Sequence, residues 1–186
     1  LKKQDFDVSV YGVPAYSTLG WSNWAGGDPL LSTFIGYPEG ELARIVFHEL
    51  AHQVVYVADD TSFNESFATA VERLGGARWL AKYGSDTVKA EYEVYDGRRK
   101  QFKALTKATR LQLAEIYSKN KHLAGDNIAS VAIKNIAKNA IIENFKAQYE
   151  LQKASWHGYA GYDNWVKQAN NAAFGALAAY DDGVPQ

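Results

Sequence analysis

The sequence contains no cysteine, which excludes a disulfide framework and any zinc site built from thiolates. It has no apolar run of membrane length, so no transmembrane helix is expected. An excess of one charge is also missing: 20 Lys and Arg stand against 21 Asp and Glu, for a net charge of -1, and the basic residues are spread along the chain. That balance offers no footprint for nucleic acid or for an anionic membrane surface. Internal repeats, low-complexity tracts and a composition shift marking a second domain are absent as well. What is there, 186 residues of which 47% are hydrophobic and 22% charged, suffices to bury a core without staples and predicts one domain over residues 1–186.

The chemistry concentrates in residues 41–72, ELARIVFHELAHQVVYVADDTSFNESFATAVE. Leu42, Ala43, Ile45, Val46, Phe47, Leu50, Ala51, Val54, Val55 and Val57 make its first part apolar around most of a helical circumference, so a buried helix is expected. His48, Glu49 and His52 then need a reason, because buried polar groups are costly unless hydrogen-bonded, paired or bound to metal. Four apart, the two histidines project from one face, about one turn from each other. Neutral imidazoles at that spacing can share one zinc ion, and Glu49 beside them is placed to take a proton from a zinc-bound water. A catalytic zinc site needs a third protein ligand, and Glu65, opening a second helix after the Asp59-Asp60-Thr61-Ser62 turn, is the candidate. Ser62 and Glu65 also fit a capping box, in which Glu65 would serve only the helix start. Thr69 and Glu72, one and two turns further along, could orient a histidine, and Glu72 could equally be an ordinary salt-bridge residue.

The segment Phe47-His48-Glu49-Leu50-Ala51-His52-Gln53, with Phe63-Asn64-Glu65-Ser66-Phe67-Ala68 and Val71-Glu72, resembles the gluzincins, zinc peptidases in which H-E-x-x-H is completed by a glutamate on the next helix. More narrowly, it resembles a bacterial family of predicted zinc aminopeptidases. Tyr16-Ser17-Thr18-Leu19-Gly20-Trp21, Asp28-Pro29-Leu30-Leu31-Ser32-Thr33 and Asn170-Asn171-Ala172 extend the likeness over nearly the whole chain. The resemblance implies His48, His52 and Glu65 as zinc ligands, Glu49 as catalytic base and a peptide or protein as substrate. It further implies export or tethering to the cell envelope, through a segment ahead of Leu1. Residues 22–27 form a longer link than the family pattern has.

The expected fold is α+β and predominantly α-helical: a zincin-like metal helix, a small N-terminal sheet and a C-terminal helical bundle. In residues 1–40, Phe6, Val8 and Val10 alternate with polar neighbours, and residues 30–37 hold a short β-favouring run among Gly, Pro, Ser and Asn. In the resembled peptidases such a segment lines the cleft and pairs with substrate backbone, a role open to residues 17–21 or 31–35. Trp21 and Trp24 would line a pocket or pack on the core. Residues 41–83 hold the zinc-binding helices, the second broken or kinked at Gly75-Gly76. Residues 85–180 are helical: one helix from 85 to about 119 with a possible interruption at Asp96-Gly97, one from about 127 to 156, and a last from 163 to 179.

Negative charge builds on the carbonyl oxygen during peptide hydrolysis, and a tyrosine, histidine or arginine often stabilises it. His157 and Tyr162, grouped with Tyr159 in a glycine-rich turn, are the candidate catalytic residues for that task, followed by Tyr16 and Tyr37. His122, in a lysine-rich loop, reads as solvent-exposed. Arg98 and Arg99 read as a solvated helix face or as a holder of a substrate carboxylate, and Glu39 and Glu41 are the candidates to meet a free α-amine. The sequence therefore predicts a zinc metallopeptidase, an aminopeptidase by family resemblance. The alternatives are a zinc-retaining binding or regulatory module without turnover, and a helical domain without metal.

Overall fold

A computed structural model describes residues 7–10, 32–119 and 128–177 of the chain. Among the described residues the helical periodicity is realised in α1 Glu39–Val54, α2 Thr61–Tyr83, α3 Asp86–Lys119, α4 Ile128–Ser155, α5 Asp163–Gln168 and α6 Asn171–Ala176. No strand occurs among the described residues, so the fold there is all-α and the expected N-terminal sheet is corrected. Residues 32–36 form turns, and residues 7–10 have no regular structure. The β-favouring run serves as the entry to α1. Tyr37 N–H donates to Phe34 C=O at 3.0 Å, Phe34 is buried, and Pro38 fixes the backbone just before the helix. The candidate cleft segment 17–21, the first residue of the other candidate 31–35, Tyr16, Trp24 and His122 lie outside the described residues.

The described residues divide into two compact units, the first within residues 32–97 and the second made of residues 7–10, 98–119 and 128–177. In the first, α1 and α2 form an antiparallel hairpin. Gly40 approaches Leu80, Phe47 approaches Gly75, and His52 approaches Glu65, so positions pair in opposite chain directions. The face of α2 that makes this possible is a row spaced by four: Asn64, Ala68, Glu72, Gly76 and Leu80 are all buried. The expected break at Gly75-Gly76 does not occur, and α2 runs unbroken to Tyr83. Gly75 is needed for proximity instead, because a Cβ there would lie 2.7 Å from the Phe47 ring. Burial of α1 is one-sided rather than all-round: Ile45 and Ala51 are buried, whereas Leu50 and Val54 are exposed.

Asp60 caps α2 by accepting from Phe63 N–H at 2.9 Å. Ser62 lies inside the helix, its carbonyl accepting from the Ser66 hydroxyl, so the capping box read at Ser62 is corrected. The preceding turn is clipped by Asn64. Its amide oxygen accepts from Val57 N–H at 2.8 Å and its amide nitrogen donates to Val57 C=O at 2.7 Å. Asp59 takes a left-handed conformation (φ 63°) to close the turn.

In the second unit the core gathers Leu113, Ile142, Phe145, Tyr149, Trp156, Val166, Ala169 and Phe174, with Phe102, Tyr162 and Trp165 packed against it. Phe102 and Leu113 come from α3, and Phe145 and Tyr149, four apart, from one face of α4. No interruption occurs at Asp96-Gly97, since α3 is continuous. The single last helix is corrected to two, α5 and α6, because Asn170 is extended and caps α6 through Ala173 N–H at 3.0 Å. The Asn170 amide also donates to Val8 C=O at 2.9 Å, tying residues 7–10 to this unit. Among the described residues no helix is long and apolar enough to cross a membrane.

Candidate metal centre

The α1–α2 hairpin brings three of the predicted residues together. His48 and His52 come from successive turns of α1, with ring centroids 5.0 Å apart and planes at 81°. Glu65 reaches them from the first turns of α2: its Oε2 lies 3.3 Å from His48 Nε2 and its Oε1 lies 3.7 Å from His52 Nε2. One nitrogen from each histidine and one oxygen of Glu65 fall within 4.8 Å of one another, a spacing that can enclose a single metal ion. The row on α2 explains why Glu65 points there. Asn64 beside it is buried in the turn, which rotates Glu65 onto the rim of the helix interface facing the histidines.

Glu72, two turns further along α2, holds the other side of His48. Its Oε2 lies 2.9 Å from Nδ1, and its Oε1 accepts from Arg44 Nη1 at 2.9 Å. Arg44 Nε is in turn 3.5 Å from Glu41 Oε2. Of the two readings of Glu72, histidine partner and salt-bridge residue, the geometry realises both. Thr69 lies half-buried between Glu65 and Glu72.

The cluster favours positive charge. Burial opposes protonation of His48, but hydrogen bonds and attraction from Glu65 and Glu72 outweigh it and raise its pKa to about 9. His52 moves the other way: burial, with a contribution from the neighbouring His48 charge, lowers its pKa. The His48 hydrogen bond holds the Glu65 carboxyl below its ordinary value. Burial would raise Glu72, yet its bonds to His48 and Arg44 hold it low too. Two carboxylates that retain a proton on an imidazole would equally attract a cation, which must displace that proton to bind. Two imidazoles and a carboxylate are a fitting donor set for zinc.

Glu49 follows His48 on α1 and is half-buried. Glu41 is buried and paired with Arg44, whereas Glu39 is exposed in the first turn. Tyr37 is exposed ahead of α1. His157 and Tyr162 belong to the second unit. His157 is exposed in the turn after α4, at φ 56°. The Tyr162 ring stacks on Phe102, with centroids 4.0 Å apart and planes at 6°. Arg98, read as a solvated face or an anion holder, lies over the Tyr159 ring at 4.5 Å. Arg44 was missed by the sequence reading. The signal was available, because Arg44, His48 and His52 are spaced by four and share one face of α1.

A model of the family described as Putative aminopeptidase matches residues 1–186. No curated protein and no solved structure matches the chain.

Proposed function

Since the chain belongs to this aminopeptidase family over residues 1–186, we propose that it is a zinc-dependent peptidase with His48, His52 and Glu65 as metal ligands and Glu49 as general base. What supports the reading most is the convergence of the three donor residues within 4.8 Å. Zinc, when bound, supplies Lewis acidity that polarises a peptide carbonyl and makes water more acidic. Glu49 takes the proton from the attacking water and passes it to the leaving amine, the two halves of general acid–base catalysis. His48 and His52 stay neutral as donors, and Glu65 contributes the negative charge that keeps the cluster attractive to a cation. The substrate class is a peptide with a free amino terminus, as the family name suggests.

Elemental analysis of purified wild type beside His52→Ala and Glu65→Ala, with peptide hydrolysis assayed on the same samples, tests the ligand set. One zinc per wild-type chain, lost or greatly weakened in both variants, is expected. Glu49→Gln should retain zinc while turnover falls roughly 10²–10⁴-fold, the usual effect of removing a general base. A wild type that takes up no zinc would overturn the reading, and zinc without turnover on any peptide would favour a binding module.

A further inference from the structure

On the side of His48 away from Glu65, polar groups form a half-buried chain that runs through Glu72 back to α1. Ionised Glu72 can only accept hydrogen bonds, so the 2.9 Å contact between its Oε2 and His48 Nδ1 places the hydrogen on Nδ1. Once a cation displaces the second proton, the ring carries its lone pair at Nε2, the nitrogen on the Glu65 side. The other Glu72 oxygen is bound by Arg44 Nη1 at 2.9 Å, and Arg44 Nε faces Glu41 Oε2 at 3.5 Å. Arg44 is one turn ahead of His48 on the same helix, so both oxygens of Glu72 are held by α1. A carboxylate with one such anchor could rotate toward the cluster and compete with Glu65. With both oxygens occupied it is fixed as a hydrogen-bond acceptor.

We propose that Arg44 and Glu72 act as a positioning pair: Arg44 fixes the Glu72 carboxylate, and Glu72 fixes the His48 ring with Nε2 toward the metal and keeps itself out of the ligand set. The inference rests on the metal reading of His48, His52 and Glu65. It accounts for a half-buried arginine and two buried glutamates, Glu41 and Glu72, in a helix interface that apolar residues could otherwise fill. Paired charges removed from water rarely stabilise an interface relative to apolar packing, which is why another role is sought for them. Arginine suits the task because its planar fork can engage two carboxylates at once, whereas a lysine ammonium is a single point of charge.

Zinc affinity, measured by competition with a chromophoric chelator on the full chain, tests the pair. The set is wild type, Glu72→Gln, Arg44→Met, Arg44→Lys and the Arg44→Met/Glu72→Gln double variant. Glu72→Gln keeps the shape but loses the charge, and affinity should fall by about 10- to 100-fold, the range for a lost partner behind a metal-bound histidine. Arg44→Met should weaken binding by about tenfold, with Arg44→Lys recovering part of the loss, and should have little further effect once Glu72 is Gln. A readout on the wild type alone covers the case in which the variants fail to fold. In ¹⁵N-histidine spectra of the zinc-loaded protein, His48 should carry hydrogen at Nδ1 and metal at Nε2. Unchanged affinity in both single variants, additive losses, or metal at Nδ1 would overturn the positioning pair while leaving the ligand set intact. A wild type that binds no zinc would instead remove the reading on which it rests.

Discussion

Asn64 binds both backbone polar groups of Val57, as a neighbouring strand would, and thereby fixes where α2 starts relative to α1. Replacing it with alanine removes two hydrogen bonds at a buried position and should cost about 1–3 kcal/mol. Asn64→Asp keeps the acceptor for Val57 N–H but turns two oxygens toward each other at Val57 C=O, and should be at least as damaging. Urea unfolding of the metal-free proteins measures both. Equal midpoints for wild type and Asn64→Ala would show that the clip is dispensable. At this scale the meeting of His48, His52 and Glu65 was legible, because the two histidines share one face of α1 and Glu65 opens α2 after a short turn. Arg44 shares the histidines' face and was overlooked because an arginine in a helix is more often solvated; what only the fold shows is its partner, 28 positions away at Glu72.

Between α1 and α2 the two adjacent glycines have opposite environments. A Cβ on Gly75 would strike the Phe47 ring at 2.7 Å, whereas one on Gly76 meets nothing within 4 Å among the described residues. Gly76→Ala should therefore stabilise the hairpin by about 0.5–1 kcal/mol through helix propensity. Gly75→Ala forces Phe47 to move and should destabilise by about 1–3 kcal/mol. Thermal melts of the two variants side by side check the contrast, and a common sign would refute the close approach of the helices. The pair also shows why the predicted break was wrong: glycine propensity argues for a helix end, but tertiary packing used the missing side chain. The expected sheet failed for a related reason. A short run such as residues 30–37 has strand-like composition, yet composition cannot tell a strand from an exposed turn that buries only Phe34 and delivers Pro38 to the start of α1.

Across the whole molecule, metal and folding should be linked. A ligand that binds only the folded state adds RT ln(1 + [L]/Kd), about 4 kcal/mol at a thousandfold excess over Kd. On the proposed reading, zinc should raise amide protection in hydrogen exchange most strongly across α1 and α2, whose side chains supply the donors. No change in those helices on zinc addition would contradict the assigned ligands. The helical assignment of α3 and α4 was the most legible part of the fold, because rows such as Phe102, Leu113, Phe145 and Tyr149 reflect a periodicity that burial enforces. The division into two compact units was not legible, since α3 runs unbroken past Gly97 and composition does not shift there.

The hairpin of α1 and α2 has a kinetic consequence. Every group of the proposed centre, from Glu41 to Glu72, lies within one pair of helices joined by a short turn, so assembling it requires closing only a small loop. Such local closures occur in well under a millisecond, ahead of contacts between distant parts of a chain. On the proposed reading, the binding geometry can therefore form early in folding and take up an ion while the remaining helices are still collapsing, which would make the metal a participant in the folding pathway.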